Sequence, residues 1–397
     1  MLSGYDNFEL FNDSFRYDML SNRIIEGDFN MDVVAYIVAP LYPWTLALFK
    51  LLSEEYWITL AVIYQFGLVS ISIIYLYKLA LLIFKDTSTA VLASVIYIFY
   101  PLSLWYNHTL VQETSFQAFF IFFCYFFTKY IILNQKRNLV LAALFFAISL
   151  LTKSHIVILI PFLYVIFLVK RQFRSLAFFS LIVVICCLPF SITNYIKHNV
   201  VTLSSHGWTS LFLLGHSDIA YKCLTSTSGE IQEIHSEGCN ADIVFDLDYN
   251  YGTLGFVNQL SPQNRSHLRF KYALEWIRAN QIKYAELKWH GLKRFLIPGL
   301  DWKQYRLIYW LPAMIIGFLL YIPSYISLYL SLKDHDRMKH YLFVSVILSI
   351  LVIYIFFFPM NRFRVITMDP LIIIYAASVF APKFRVVTMK IRNKIFT

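Results

Sequence analysis

Long apolar runs alternate with short polar gaps along most of this chain, and many runs match the roughly 20 residues that a helix needs to cross about 30 Å of hydrocarbon. They fall at approximately 57–82, 88–105, 109–131, 138–153, 156–169, 175–193, 307–331, 341–358 and 366–381. The pattern predicts an all-α polytopic membrane protein with about nine transmembrane helices. The fourth and fifth runs are short for full spans and read as a helical hairpin turning at the polar TKSH, residues 152–155. Residues 36–52 contain Pro40 and Pro43 and read as an amphipathic helix lying along the membrane surface. One gap, 194–306, is roughly 110 residues long, too long for a mere connection, so it reads as a small folded or docked unit. Its last part, Ser261 to Phe295, has apolar residues at helical spacing, with Ser261 able to cap and Pro262 suited to a first turn. The expected organisation is an N-terminal polar and interfacial segment (1–56), a first helical block (57–193), the large loop (194–306) and a last helical block with a basic tail (307–397).

Composition agrees with a membrane protein: 58% of residues are hydrophobic, 18% aromatic and only 15% charged, against about a quarter charged in soluble domains. The formal charge of +10 resembles a nucleic-acid signal until the cations are located. Lys85, Lys129 with Lys136 and Arg137, Lys170 with Arg171 and Arg174, Lys333 with Arg337 and Lys339, and the tail from Lys383 to Lys394 occupy alternate gaps. That is the pattern of cytoplasmic loops, which implies lipid rather than nucleic acid as partner. Residues 1–56, the 105–109 turn, the TKSH turn, the large loop and the 360–364 turn are then external. The first 30 residues lack the apolar stretch of a cleavable signal peptide. Cys124, Cys186 and Cys187 lie in apolar runs, whereas Cys223 and Cys239 lie in the large loop and can pair if it faces an oxidising compartment.

The orientation gathers chemistry at one face: Asp13, Glu113, Lys153, His155, Asn194, Arg362 and Arg364 all fall at or near the external side. Ionisable groups near membrane depth are expensive and tend to be functional. The stretch NDSFRYDMLSNRIIEGDFN, residues 12–30, adds Arg16, Tyr17 and Asp18 beside Asp13, a carboxylate with a cation and an aromatic. Bland readings stand beside these: a solvated N-terminal tail, an interfacial Glu113 reaching water, and Lys153 and His155 snorkelling to the headgroups. Asp246 and Asp248 are spaced like a metal pair, but no third ligand follows, so a solvated acidic loop is favoured and no metal site is assigned.

The order of motifs resembles a family. DSFRYDMLSNRIIEGDF, APLYPWTLALFKLL, YPLSLWYNHTLVQETSFQAFF, LPFSITNYIKHNVVTLSSHGWTSLFLLGH, AELKWHGLKRFLIP and NRFRVITMDPLIIIYAA are similar, in this order, to segments of the GT-C polytopic glycosyltransferases. The similarity is to the branch of aminoarabinose and lipopolysaccharide-core sugar transferases and protein O-mannosyltransferases. The chain departs from the pattern at Phe190, where the family has Trp, and at Thr193, where it has Arg, leaving that cation's role to Lys197 or to none. The family's first transmembrane helix has no room before Asp13.

The resemblance implies a GT-C-like fold and an inverting transfer of a sugar from a polyprenyl-phosphate carrier to a lipid, glycan or protein acceptor on the external face. The bacterial inner membrane is the default location, with the active site periplasmic. Asp13 would be the base, Glu113 would orient the acceptor or a cation, and Arg16, Tyr17, Lys153, His155, Asn194, Arg362 and Arg364 would bind substrate. The donor itself is the lipid-phosphate sugar; no cofactor is assigned, and a divalent ion is neither required nor excluded. Two other classes stay open: a transporter or flippase of a lipid-linked or anionic substrate, and an inactive, truncated scaffold. Charges gathered at one face favour an enzyme, because transporters place polar groups near the middle of several spans.

Overall fold

The computed structural model describes residues 13–27, 38–107, 109–199, 201–203, 209, 212–213, 215–218, 220–221, 262–299, 307–357 and 360–395. Cys223, Cys239, Asp246 and Asp248 lie outside them. Helix is the regular secondary structure of the described residues, with no strand among them. In chain order the helices are α1 (Asp13–Ile25), α2 (Leu41–Leu52), α3 (Trp57–Phe84), α4 (Thr87–Ile98), α5 (Pro101–Asn107), α6 (Gln112–Leu133), α7 (Lys136–Thr152) and α8 (Ile160–Val169). Then come α9 (Phe173–His198), α10 (Pro262–Ala279), α11 (Gln281–Leu296), α12 (Leu307–Leu332), α13 (Tyr341–Phe356), α14 (Asn361–Thr367) and α15 (Asp369–Ile395).

Each of the nine expected spans falls on helix, but length separates them. Among the described residues five stretches are long and apolar enough to cross a membrane alone: α3, α6, α12, Phe173–Lys197 and Arg337–Phe356. The count rises to seven if each of two bent pairs is one span, α4 with α5 at 55° and α14 with Asp369–Phe384 at 58°. Both bends have a proline at the break, Pro101 and Pro370, whose ring cannot continue the preceding turn. The fourth and fifth runs stay short: α7 has 17 residues, about 25 Å of helix. The chain leaves α7 in extended conformation at Lys153 (φ −153, ψ 105) and resumes as a 3-10 turn, Ser154–Leu159, ahead of α8. That break places Lys153 and His155 at the end of the bundle instead of inside a continuous helix.

The core is centred on α6, which is buried on nearly every side and, beyond its polar first turn, is mostly apolar and aromatic. Phe116, Phe120, Phe123 and Phe127 are buried in it and stack along one another toward Phe146 of α7 and Phe179 of α9. α15 packs between α4 and α12, and α3 packs on α6 and α4. Sequence also sets the ends. The Asp86 side chain caps α4 by accepting from the Ser88 and Thr89 amides, while Asn134 and Asn199 close α6 and α9 in the left-handed conformation that asparagine tolerates. α10 and α11 form a small separate core of Leu213, Ala220, Ala273, Trp276 and Leu287.

Candidate active site

Helix α1 carries the acidic N-terminal motif and is held down by three contacts. Tyr17, fully buried, meets Tyr42 edge-on at 5.1 Å. Tyr42 donates to Gln65 Oε1 at 3.0 Å, and Gln65 Nε2 donates to the Thr109 carbonyl at 2.9 Å, which ties α2 and α3 to the turn before α6. Lys50 Nζ reaches Asp18 Oδ1 and Asn22 Oδ1, each at 2.5 Å, and sits over the Trp57 ring at 4.5 Å. The polar stretch at the start of the chain is therefore docked, and the solvated-tail reading does not describe residues 13–25.

Docking aims Asp13 at the chain's far end. Arg362 Nη1 donates to Asp13 Oδ2 at 2.7 Å, and Arg16 Nη1 lies 3.3 Å from Asp13 Oδ1. Glu113, 2% exposed in the first turn of α6, is paired with Lys153 through its Oε1, and Arg362 Nη1 lies 3.9 Å from the same oxygen. The N-terminal end of α6 favours a carboxylate there. His155 is set between the rings of Phe116 and Phe363 at 5.0 and 4.8 Å, and Lys153 Nζ lies 5.5 Å from the Phe363 centroid. Asp13, Arg16, Glu113, Lys153, His155 and Arg362, six of the candidates, thus meet from α1, α6, the break after α7, and α14.

The cluster is unevenly satisfied. Glu113 Oε2, Arg362 Nε and both ring nitrogens of His155 are buried without a hydrogen-bond partner. Buried polar groups in native proteins are almost always partnered, so these atoms are donors and acceptors that a bound molecule or water can meet. Burial works to raise the Asp13 carboxyl, but Arg362, then Arg16 and Lys153, outweigh it and hold the group below its ordinary value. Tyr17 is driven well above the usual phenol value by burial and by the charges of Glu113 and Asp13, so it stays protonated.

Arg364 is placed differently. Residues two apart on a helix point about 200° away from each other. Arg364 accordingly faces inward, is 0% exposed, and donates to the carbonyls of Ile297 and Gly299, each at 3.3 Å. Its Nε lies 3.8 Å from Asp369 Oδ1, and Asp369 also accepts from Tyr321 and, at 2.5 Å, from Tyr100. Gly299 has φ +96, and a Cβ there would sit 2.7 Å from the Ala313 carbonyl group, so only glycine lets this strand of chain lie on α12. Asn361 donates to the same Gly299 carbonyl at 3.2 Å. Asn194, near the end of α9, donates to the Thr202 carbonyl at 2.6 Å, a bond local to the segment leaving α9.

Sequence reasoning missed Asp369, Tyr100, Tyr321 and Gly299. Asp369 was findable as an ionisable group opening an apolar run. The others have no local signal, because their roles depend on contacts across the bundle. No group of three His, Cys, Asp or Glu that could hold a metal ion lies among the described residues.

Against this geometry, the family model for dolichyl-phosphate-mannose-protein mannosyltransferases matches residues 38–195. The GT-C resemblance is borne out. The matched stretch runs from α2 to α9 and includes Glu113, Lys153, His155 and Asn194. No curated protein sequence matches the chain. Among solved structures, ArnT from Cupriavidus metallidurans in the apo state is similar at 12% identity and a TM-score of 0.38, over 93% of this chain and 72% of that one. Over residues 38–195 the chain is thus similar to a family of membrane glycosyltransferases.

Proposed function

We propose that this GT-C-type chain transfers a sugar from a polyprenyl-phosphate donor to a hydroxyl on a lipid, glycan or protein, with inversion, at the membrane face that carries Asp13. The observation that carries the reading is the convergence of Asp13, Arg362, Glu113 and Lys153 beside unpartnered buried polar atoms. Asp13 takes the proton of the acceptor hydroxyl as its oxygen attacks the anomeric carbon. The bond from that carbon to the phosphate oxygen breaks, and the lipid phosphate leaves with the electron pair and one more negative charge. Arg362 and Lys153 hold that phosphate more strongly as its charge grows, a preorganised stabilisation worth roughly 3–4 kcal/mol per donor. Guanidinium suits phosphate because its fork matches two oxygens. Arg364 serves the site through the helix it shares with Arg362. The cation-rich gaps support a cytoplasmic location for the opposite end of the bundle, and on that reading the site faces outward, in a bacterial inner membrane toward the periplasm.

The test is sugar transfer from a panel of radiolabelled polyprenyl-phosphate sugars in membranes expressing the chain, with Asp13→Asn and Arg362→Ala beside it. Transfer that depends on both residues at unchanged expression supports the reading. Transfer unaffected by either variant, or none from any donor, moves the assignment to a transporter or scaffold.

A further inference from the structure

The same guanidinium is needed in two places. In this structure Arg362 is held by Asp13 at 2.7 Å, with Glu113 3.9 Å away, while its Nε is buried and unbonded. Asp13 is faced by Arg362 from α14, by Arg16 and Tyr17 from α1 and by Lys153 from the break after α7, and Glu113 of α6 approaches the same Arg362. A carboxylate held by two arginines is a poor proton acceptor, and an arginine held by a carboxylate is a poor phosphate ligand.

We propose that the donor's phosphate displaces Asp13 from Arg362, so that donor binding itself releases the base; this rests on the reading of the site given above. In the exchange one N–H bond from Arg362 to Asp13 Oδ2 is lost and one to a phosphate oxygen forms, with no proton moved. Arg16 stays on Asp13 Oδ1 and keeps the freed carboxylate from swinging away. The phosphate's negative charge beside Asp13 then raises its affinity for a proton just when an acceptor hydroxyl needs one taken. Acceptor binding without donor finds the base locked, which protects the site from idle proton transfer.

The exchange makes Asp13 a competitor of phosphate, and competition has a sign opposite to support. The probe is a short prenyl methyl phosphodiester, whose phosphate keeps one negative charge across the titration, bound to the purified full-length chain. Asp13→Ala is expected to bind it about tenfold more tightly than wild type, the scale of one charge-assisted hydrogen bond relieved, and Arg362→Ala more weakly. Glu113→Gln removes the same charge from the same cluster but leaves the Asp13 bond in place, so it tightens binding less than threefold by the weaker action of a more distant charge. Wild-type binding is expected to tighten as pH falls through the carboxylate range, and Asp13→Ala to lose that slope. Unchanged or weaker binding in Asp13→Ala, or equal tightening in Glu113→Gln, overturns the exchange and leaves the glycosyltransferase reading standing. A probe that binds neither wild type nor Asp13→Ala overturns both.

Discussion

Asp13 with Arg362 and Asp369 with Arg364 are two carboxylate–arginine pairs whose arginines stand two residues apart on one short helix, yet they are built to opposite ends. The inner pair is closed: Arg364 is 0% exposed, both oxygens of Asp369 take tyrosine hydroxyls, and two backbone carbonyls take the guanidinium. The outer pair is open: Asp13 and Arg362 are 19% and 28% exposed, whereas Asp369 and Arg364 are 1% and 0%, although the Nε of each arginine makes no hydrogen bond within the chain. A closed pair can only hold a shape. An open one can trade partners, which is what binding and proton transfer require.

The comparison breaks first on stability. Asp369→Ala leaves the Arg364 charge buried with its carboxylate gone, and breaking a fully buried pair typically costs about 3–5 kcal/mol. Thermal unfolding in detergent should show a large loss for Asp369→Ala and less than about 1 kcal/mol for Asp13→Ala, whose pair is part-exposed. Equal losses would mean that the two clusters do the same structural work.

Activity should reverse the order. Asp13→Asn keeps shape and removes basicity, so transfer is expected to fall by about 100-fold or more, the lower end of what a general base contributes, while the melting temperature shifts only slightly. A conservative Asp369→Glu variant that folds should retain most transfer, since Asp369 touches no reacting atom. Full activity of Asp13→Asn would remove the base assignment.

The link between the clusters can be tested at Gly299. Gly299→Ala forces a Cβ to 2.7 Å from the Ala313 carbonyl at a φ of +96, so the segment must move off α12. A destabilisation of roughly 1–3 kcal/mol is expected from such overpacking. Because Gly299 accepts from both Asn361 and Arg364, α14 should shift with it, and donor KM should rise as Arg362 is displaced. A stability loss with donor KM unchanged would show that the closed cluster does not set the position of Arg362.

How far this was legible in the sequence follows from what each feature depends on. The helices were legible because burial in lipid or core leaves long apolar runs, and Glu113 and Lys153 stood out because charge beside such runs is rare. Their pairing across 40 residues was not, since nothing local in TKSH or VQETS encodes the partner. NRFR presents two arginines that look alike in sequence; which one faces the cluster is set by the phase of a seven-residue helix and by a glycine more than 60 residues earlier. Likewise the polar segment before α2 reads equally as tail or site until Tyr17 is seen edge-on against Tyr42, which hydrogen-bonds Gln65.

The smallest expected effect lies in acid. Arg362, Arg16 and Lys153 together hold the Asp13 carboxyl below its ordinary value against the opposing pull of burial, so folding favours its ionised form. A carboxyl lowered in the folded state contributes stability at pH values above its unfolded pKa, and that contribution is shed as pH falls through the carboxylate range toward the lower folded value. At neutral pH the contribution should be under about 1 kcal/mol, because the pair is partly open to solvent. The melting temperatures of wild type and Asp13→Asn should therefore differ slightly at pH 7 and converge as the buffer is taken toward pH 3. A gap that widens in acid would mean that Asp13 is protonated more readily in the folded chain than in the unfolded one, and the outer pair would then be a neutral hydrogen bond instead of an exchangeable ion pair.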